Sequence, residues 1–491
     1  MTVPSSTDAH DAHGGSGKGA LVGILAAAPL AVATVFFALQ LPAVIDGETL
    51  RISAKWVSSL NVNLSFRLDG LSMVFALLIS AIGAVVALYS SAYLAGHSQL
   101  GRYYLYLLSF TAAMLGLVLS DNLITLFVFW ELTTITSYLL VGFNHESSAA
   151  RRAALQALLI TGGGGLALLA GIILLGIAAG SLELSEIATK RDLLHNHALY
   201  LPILALCLLG AFTKSAQVPF HFWLPNAMAA PTPISAFLHS ATMVKAGVYL
   251  LARLYPALGG TDAWLWSLSI FGAATAVLGG VLAIRQTDLK KLLAYTTVMA
   301  LGTLVMFLGS QATVAIAAAM TFLIVHSLYK ASLFMVAGMI DHQTGTRDLG
   351  KLGGLAAAMP ITALAAAMAA FSMGGFPPFL GFIGKELKYE GALAIASEPW
   401  LVAAAAVLAN AFVVAAAIIA AFHPFFGERK ATPLVPREAP VAMWIGPLIL
   451  AALGLAFGIA PGPIGEFFVD TAVSAIVARP ETIKLLSLIH I

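Results

Sequence analysis

The chain has 491 residues, of which only 10% are Asp, Glu, Lys or Arg and 60% are hydrophobic, whereas soluble proteins carry roughly a quarter charged residues. A water-soluble surface cannot be built from that composition, and 25 basic against 23 acidic side chains leave no basic excess for nucleic acid. A lone cysteine, Cys207, excludes a disulfide framework and any zinc or iron–sulfur site that this chain would hold with cysteines alone.

Residues 1–18 are polar and glycine-rich and predict a disordered tail; Asp8, His10, Asp11 and His13 alternate there in a pattern better read as solvated than as metal-binding. Apolar runs near 20 residues then recur, about what ~30 Å of hydrocarbon requires. They fall at 21–40, 71–95, 103–119, 122–142, 153–179, 200–218, 234–254, 265–284, 289–308, 314–340, 357–373, 401–426 and 441–459. An all-α, polytopic membrane protein of about thirteen helices is expected. The first run reads as a retained helix, because no small-residue cleavage pattern follows it promptly. The chain divides into N-terminal helices (19–119), a core (120–400) and C-terminal helices (401–491). The longest polar connections, 43–67 and 181–197, are too short to be enzyme domains, so function must lie in the spans. Basic clusters at Arg151 and Arg152, at Lys190 and Arg191, and at Arg285, Lys290 and Lys291 do not sort to one side by counting spans.

An ionisable side chain within a span costs roughly 2.5–3.5 kcal/mol on insertion scales, so each needs a partner, a wet cavity or a task. Glu131 stands at mid-depth in Leu123–Leu140, where nothing else is charged. Lys214 comes just over one turn before Pro219, which removes a backbone donor and breaks the helix. Broken helices free carbonyls and amides that can line an ion path. His239 and Lys245 fall six apart in 234–254, so on one helix they face different neighbours, ~240° apart. His326 and Lys330 are four apart and share a face, close enough to pass a proton directly or through water. Around Gly374, Gly375, Pro377 and Pro378 a second interruption has Lys385 nearby, read as the counterpart of Lys214, with Glu386 as a local ion-pair partner. Two interrupted segments at comparable places in two halves point to a transporter built from repeats.

A buried ammonium is destabilised by burial and restored by a nearby carboxylate, so small rearrangements can switch its charge. The expected proton route runs from Glu131 and Lys214 to Lys245 and His239, then His326 and Lys330, ending at Lys385. Gly162–Gly165 lacks the Lys-Ser or Lys-Thr of a phosphate loop and reads as close helix packing. One histidine per lysine-rich motif argues against a b-type haem at His239 or His326, and no cofactor is expected. Arg67 and Asp69 read as an interfacial turn pair; Asp288, Lys290 and Lys291 as an ion entrance or a solvated loop. No carboxylate cluster within the spans suits sodium, whose site is expected from backbone carbonyls, at an interface between subunits or outside this chain.

At Asn63–Ser72, Ser120–Leu123, Phe129–Leu132, Lys214–Pro219, Ala230–Ser235 and around Lys385, the chain resembles the antiporter-like membrane subunits of Mrp-type multisubunit cation/proton antiporters, respiratory complex I and membrane-bound hydrogenases. The likeness covers residues 43–482 and is greatest to the A-type subunits of the Mrp Na+/H+ antiporters, through Gly47–Ser53 and Phe127–Thr133. It implies two inverted five-helix repeats, each with a discontinuous helix. It also implies a coupled Glu131–Lys214 pair, a relay at Lys245 and His239, a link at His326 and Lys330, and Lys385 as terminal lysine. Other membrane subunits, lipid, protons and a monovalent cation such as Na+ are the implied partners, in a prokaryotic cell membrane. Chains of the A type usually start almost at their first span and continue past the equivalent of Ile491, which implies an incomplete C-terminal end. A redox-driven proton-pumping role is the second reading, and a scaffold with purely structural ion pairs the third.

Overall fold

In the computed structural model, which describes residues 12–60, 62–395, 399–483 and 485, the first helix, α1, covers Ala12–Ile45. It begins inside the segment expected to be an unordered tail, of which residues 1–11 lie outside the described residues. The connection at 43–67 is not the plain loop of an all-α chain. It forms a hairpin of β1 (Leu50–Val57) and β2 (Val62–Leu68), antiparallel with Leu50 opposite Leu68 and a register shift between Lys55 and Val57. Residues 50–56 and 62–68 each alternate apolar and polar side chains with period 2, which is the pattern of a strand and not of a loop.

The helices follow as α2 (Gly70–Tyr93), α3 (Leu100–Leu119), α4 (Leu123–Val141) and α5 (Ser148–Ala179), the short α6 (Leu184–Ile187) and α7 (Arg191–His195), then α8 (Tyr200–Lys214) and α9 (Trp223–Asn226). Next come α10 (Thr232–Ser240), α11 (Ala246–Leu258), α12 (Asp262–Ile284), α13 (Leu289–Leu308), α14 (Thr313–Thr344), α15 (Pro360–Gly374), α16 (Leu380–Leu393), α17 (Pro399–Ala421) and α18 (Val441–Ile459). Among the described residues, eleven helices are long and apolar enough to cross a membrane, and α8 and α15 are shorter apolar helices. Helix α14 lies at the centre, packed against α10, α13, α15, α16 and α18.

Polar side chains at the helix starts fix where spans begin. Asp69 accepts from Ser72 N at 3.0 Å, Asn122 from Ile124 N at 3.0 Å and Asp288 from Lys291 N at 3.0 Å, each satisfying an amide that the helix leaves free. Loop contacts sort the connections onto two faces. The hairpin face gathers Asp121, Ser185, Gly260 and Gln311 through the Ser185–Asp121 and Gln311–Gly260 bonds. The opposite face joins Arg102 to Phe143 O, Asn226 to Gln156 and Arg347 to Asp288.

The two halves repeat in detail. Helices α5 and α14 are both 32 residues long and both end at a left-handed glycine, Gly180 (φ 65°) and Gly345 (φ 71°). After the first, Leu123 N donates to Leu182 O (2.8 Å) and Leu184 N to Asp121 O (2.5 Å); after the second, Leu289 N donates to Arg347 O (3.0 Å) and Leu349 N to Thr287 O (2.8 Å). Helix α4 therefore corresponds to α13. Four crossings lie between them, so α13 is the fifth crossing after α4, and an odd offset makes the repeats inverted across the membrane.

Candidate functional site

Both expected interruptions are present. Helix α8 stops at Lys214 and α15 at Gly374, and the chain resumes only at residues 220 and 380. The two breaks match bond for bond: Gln217 N to Phe212 O (2.9 Å) and Phe220 N to Gln217 O (2.6 Å) in the first, Phe376 N to Phe371 O (3.0 Å) and Phe379 N to Phe376 O (3.1 Å) in the second. This register corrects one expectation: the counterpart of Lys214 is Met373, and Lys385 lies beyond its break, on α16, where Asn226 stands in the first half. Both breaks carry a nearby lysine, but on opposite arms.

Lys214 is fully buried and donates to Trp130 O (3.2 Å) and Thr134 Oγ1 (2.7 Å) on α4, one residue before and three after Glu131. Its ammonium also lies 5.1 Å from the Trp130 ring centre. Glu131 and Lys214 are thus brought to one site, yet among the described residues no ion pair joins them and Glu131 Oε1 has no hydrogen-bond partner. The glycine run explains how a carboxylate fits between packed helices: a Cβ at Gly165 would fall on Glu131 Oε1, and one at Gly164 on Thr213 Oγ1. In the second half the same helix pair carries Thr297 in place of Glu131 and Lys330 in place of Gly165.

His239 and Lys245 do not share one continuous helix. The chain breaks between α10 and α11, where Thr242 leaves helical geometry (φ −124°, ψ −110°) and its hydroxyl donates to Phe237 O at 2.8 Å. Both residues reach α14, but they meet different residues of it, about 10 Å apart along its axis at 1.5 Å per residue, and form no direct pair. Lys245 donates to Leu323 O (3.0 Å) and to Ser327 Oγ, and the His239 ring lies 6.0 Å from that of Phe334. Ser215, next to Lys214, donates to Val244 O, next to Lys245, at 2.7 Å, which fixes the two breaks side by side.

On α14, His326 lies between the two residues that hold Lys245, with neither ring nitrogen hydrogen-bonded to the protein. Lys330 turns away to α13, donating to Thr296 Oγ1 at 2.5 Å, so the pair that shares a helix face makes no direct bond. Lys385 is half-buried and donates to Gly375 O at 2.9 Å, back across its own break; Glu386 is exposed. Three residues on, Lys388 is buried, donates to Asn410 Oδ1 at 2.7 Å and lies 4.2 Å from the centre of the Phe322 ring, one turn before His326. Sequence reading missed Lys388. Its signal is there: Glu386 and Glu390 mark the exposed face of α16, and Lys388 stands between buried Leu387 and half-buried Tyr389.

Two other readings change. Arg67 and Asp69 are not a simple surface pair, because Arg253 of α11, also missed, grips Asp69 with two nitrogens (2.6 and 2.9 Å) and Ser72 Oγ at 2.7 Å. Arg67 bonds Asp69 as well and reaches Asp121 at 3.5 Å. Burial alone would raise the Asp69 carboxyl, but the two guanidiniums outweigh it and hold that group well below the usual carboxylate range. Lys290 is neither loop nor entrance; buried, it donates to Met228 O (3.1 Å) and Ala230 O (2.7 Å) and pins the segment after the first break. Asp288 caps α13 and pairs with Arg347, and Lys291 is exposed. No group of three or more His, Cys, Asp or Glu suited to a metal ion occurs among the described residues.

Residues 120–412, which contain every candidate side chain, match the family described as NADH:quinone oxidoreductase/Mrp antiporter, TM. The chain belongs to that family. Residues 55–104 match a second, described as NADH-Ubiquinone oxidoreductase (complex I), chain 5 N-terminus. The chain is 43% identical over 455 residues to the A/B component of a probable K(+)/H(+) antiporter of Rhizobium meliloti, covering 91% of this chain and 45% of that protein. It is 42% identical over 467 residues to the A component of the Na(+)/H(+) antiporter of Alkalihalophilus pseudofirmus, covering 90% and 58%. The chain spans about half the length of the curated relatives it matches. A solved Mrp complex from a Dietzia species superposes with a TM-score of 0.86 at 36% identity, over 97% of this chain and 52% of that one. An archaeal membrane-bound sulfane sulfur reductase superposes with a TM-score of 0.81 at 27% identity, over 91% and 75%. As family members these share the fold, and the antiporter names belong to transporters rather than enzymes.

Proposed function

We propose that this chain is a membrane component of a multisubunit monovalent cation/proton antiporter in a bacterial cell membrane, and that it moves protons sideways through the membrane interior. The observation that carries this reading is the row of ionisable groups on adjoining elements: half-buried Glu131 on α4, then the buried Lys214 on α8, Lys245 at the break between α10 and α11, His326 on α14 and Lys388 on α16. Hydroxyls of Thr134, Ser327 and Thr296 hold the ammonium groups. The unpartnered polar atoms of Glu131 and His326 are where water would complete the path. His239 meets α14 at Phe334, Lys330 reaches from α14 to Thr296 of α13, and Lys385 couples the row to the break between α15 and α16. Moving one charge through 100 mV is worth ~2.3 kcal/mol, enough for such a relay to exchange one ion gradient for another.

The face opposite the hairpin carries Arg102, Arg151, Arg152, Lys291, Arg429 and Lys430, and we assign it to the cytoplasm by the excess of basic residues. Relatives named for Na+ and for K+ both fit a monovalent cation, and the remaining subunits and further chain length are part of the proposed machine. The test is cation-dependent proton movement in everted vesicles holding the assembled complex. Activity with Na+ or K+ that Glu131→Gln abolishes at equal abundance supports the reading; proton movement that requires an electron donor instead favours the redox-driven alternative, which the sulfane sulfur reductase likeness keeps open.

A further inference from the structure

A cleft of about 460 Å³ opens on the face opposite the hairpin, where α5, the segment after the first break and α13 meet. Arg152, Lys291 and Arg347 line it together with Gln156, Asn226 and Met228, and none of its lining residues is acidic. Arg347 engages the neighbouring Asp288 through Nε, while Arg152 and Lys291 are exposed and have no ion-pair partner among the described residues. Arg152 is the fifth residue of α5 and Lys291 the third of α13, so the N-terminal ends of two helices border the same cleft.

Below the cleft the outer face of α5 is apolar. Leu155, Leu159 and Leu166 are 49%, 64% and 67% exposed, and they continue from Arg152 at helical spacing. Between the last two, Gly163 leaves a notch: a Cβ there meets no atom within 4 Å. The basic end and the apolar stripe are continuous on one helix, which is the shape of a charged headgroup followed by a chain.

We propose that this cleft binds the phosphate of an anionic phospholipid, with an acyl chain lying along Leu155, Leu159 and the Gly163 notch. Charge complementarity selects an anionic headgroup, and the stripe running into the hydrocarbon region selects a lipid over a soluble anion. The site is independent of the antiport reading, since no residue of the proton relay lines it.

The test is native mass spectrometry of the assembled complex offered phosphatidylglycerol or phosphatidylethanolamine, with and without millimolar inorganic phosphate. The unaltered protein should retain phosphatidylglycerol in preference to phosphatidylethanolamine, and phosphate alone should not displace it. Arg152→Gln with Lys291→Gln should weaken that binding by about tenfold or more. Gly163→Phe, whose Cβ has no neighbour within 4 Å and whose ring would occupy the notch, should lower phosphatidylglycerol retention while helix content is unchanged. Equal retention in both variants, equal uptake of the zwitterionic lipid, or full displacement by phosphate would overturn the proposal. So would a cross-link from Leu159→Cys to another protein of the complex, which would show that protein covers this face.

Discussion

Lys214 grips α4 on both sides of Glu131, at Trp130 O and Thr134 Oγ1, without forming an ion pair with the carboxylate itself. The two charges therefore share one small region while each keeps its own hydrogen-bonding state. A short movement of the ammonium along α4 would exchange the Thr134 hydroxyl for the carboxylate, which is the kind of two-position element a relay step needs.

Removing either charge should stop transport. Glu131→Gln and Lys214→Ala are each expected to abolish cation-dependent proton movement in vesicles at equal protein abundance. Thr134→Ala removes one hydrogen bond donated by the Lys214 ammonium, a charged-donor bond commonly worth ~1.5–3 kcal/mol, and should slow transport about ten- to hundredfold without abolishing it. Transport at the original rate in Glu131→Gln would leave only the scaffold reading.

The glycine run gives a sharper test of the same geometry. Gly165→Ala places a methyl on Glu131 Oε1, an overpacking of roughly 1–3 kcal/mol, and should lower transport strongly. Gly163→Ala, two residues away and facing open space, should transport normally. The pair is compared by initial rates at matched abundance.

At the far end of the row, Lys388 and not only Lys385 is expected to matter. Lys388→Met removes the ammonium between Asn410 and the Phe322 ring and should reduce transport at least as much as Lys385→Met, whose ammonium is half-buried and bonded to a carbonyl. Normal rates in Lys388→Met would remove this lysine from the path.

The Asp69–Arg253 pair should govern stability rather than transport chemistry. Asp69→Asn leaves a buried guanidinium without its carboxylate, typically ~3–5 kcal/mol, and should lower the thermal unfolding midpoint in detergent. Asp69→Asn combined with Arg253→Met should recover part of it. Because the folded-state carboxyl titrates below its unfolded value of about 3.9, its stabilisation is fully present above that pH and is lost as pH falls toward the folded value. The difference between the two proteins should stay constant from pH 5 to 8 and shrink below about pH 4.

Membrane class, the approximate spans and both Pro/Gly interruptions were legible in the sequence, because a 20-residue apolar run and a proline in a helix act locally. So was the short set of ionisable residues that hydrocarbon makes costly. Pairing was not legible. That Lys245 and His239 reach one helix, that Lys214 corresponds to Met373 and not Lys385, and that Arg253 meets Asp69 across 184 positions follow from which helices touch. Lys290 stands between Asp288 and Lys291 at the start of α13 and Lys388 between Glu386 and Glu390 within α16, so the neighbouring charges make each read as solvated unless the helix faces are separated. Local composition set where the chain turns and what it cannot leave in lipid; only the packing of inverted repeats decided which buried charges become neighbours, since those contacts join residues that the chain itself keeps far apart.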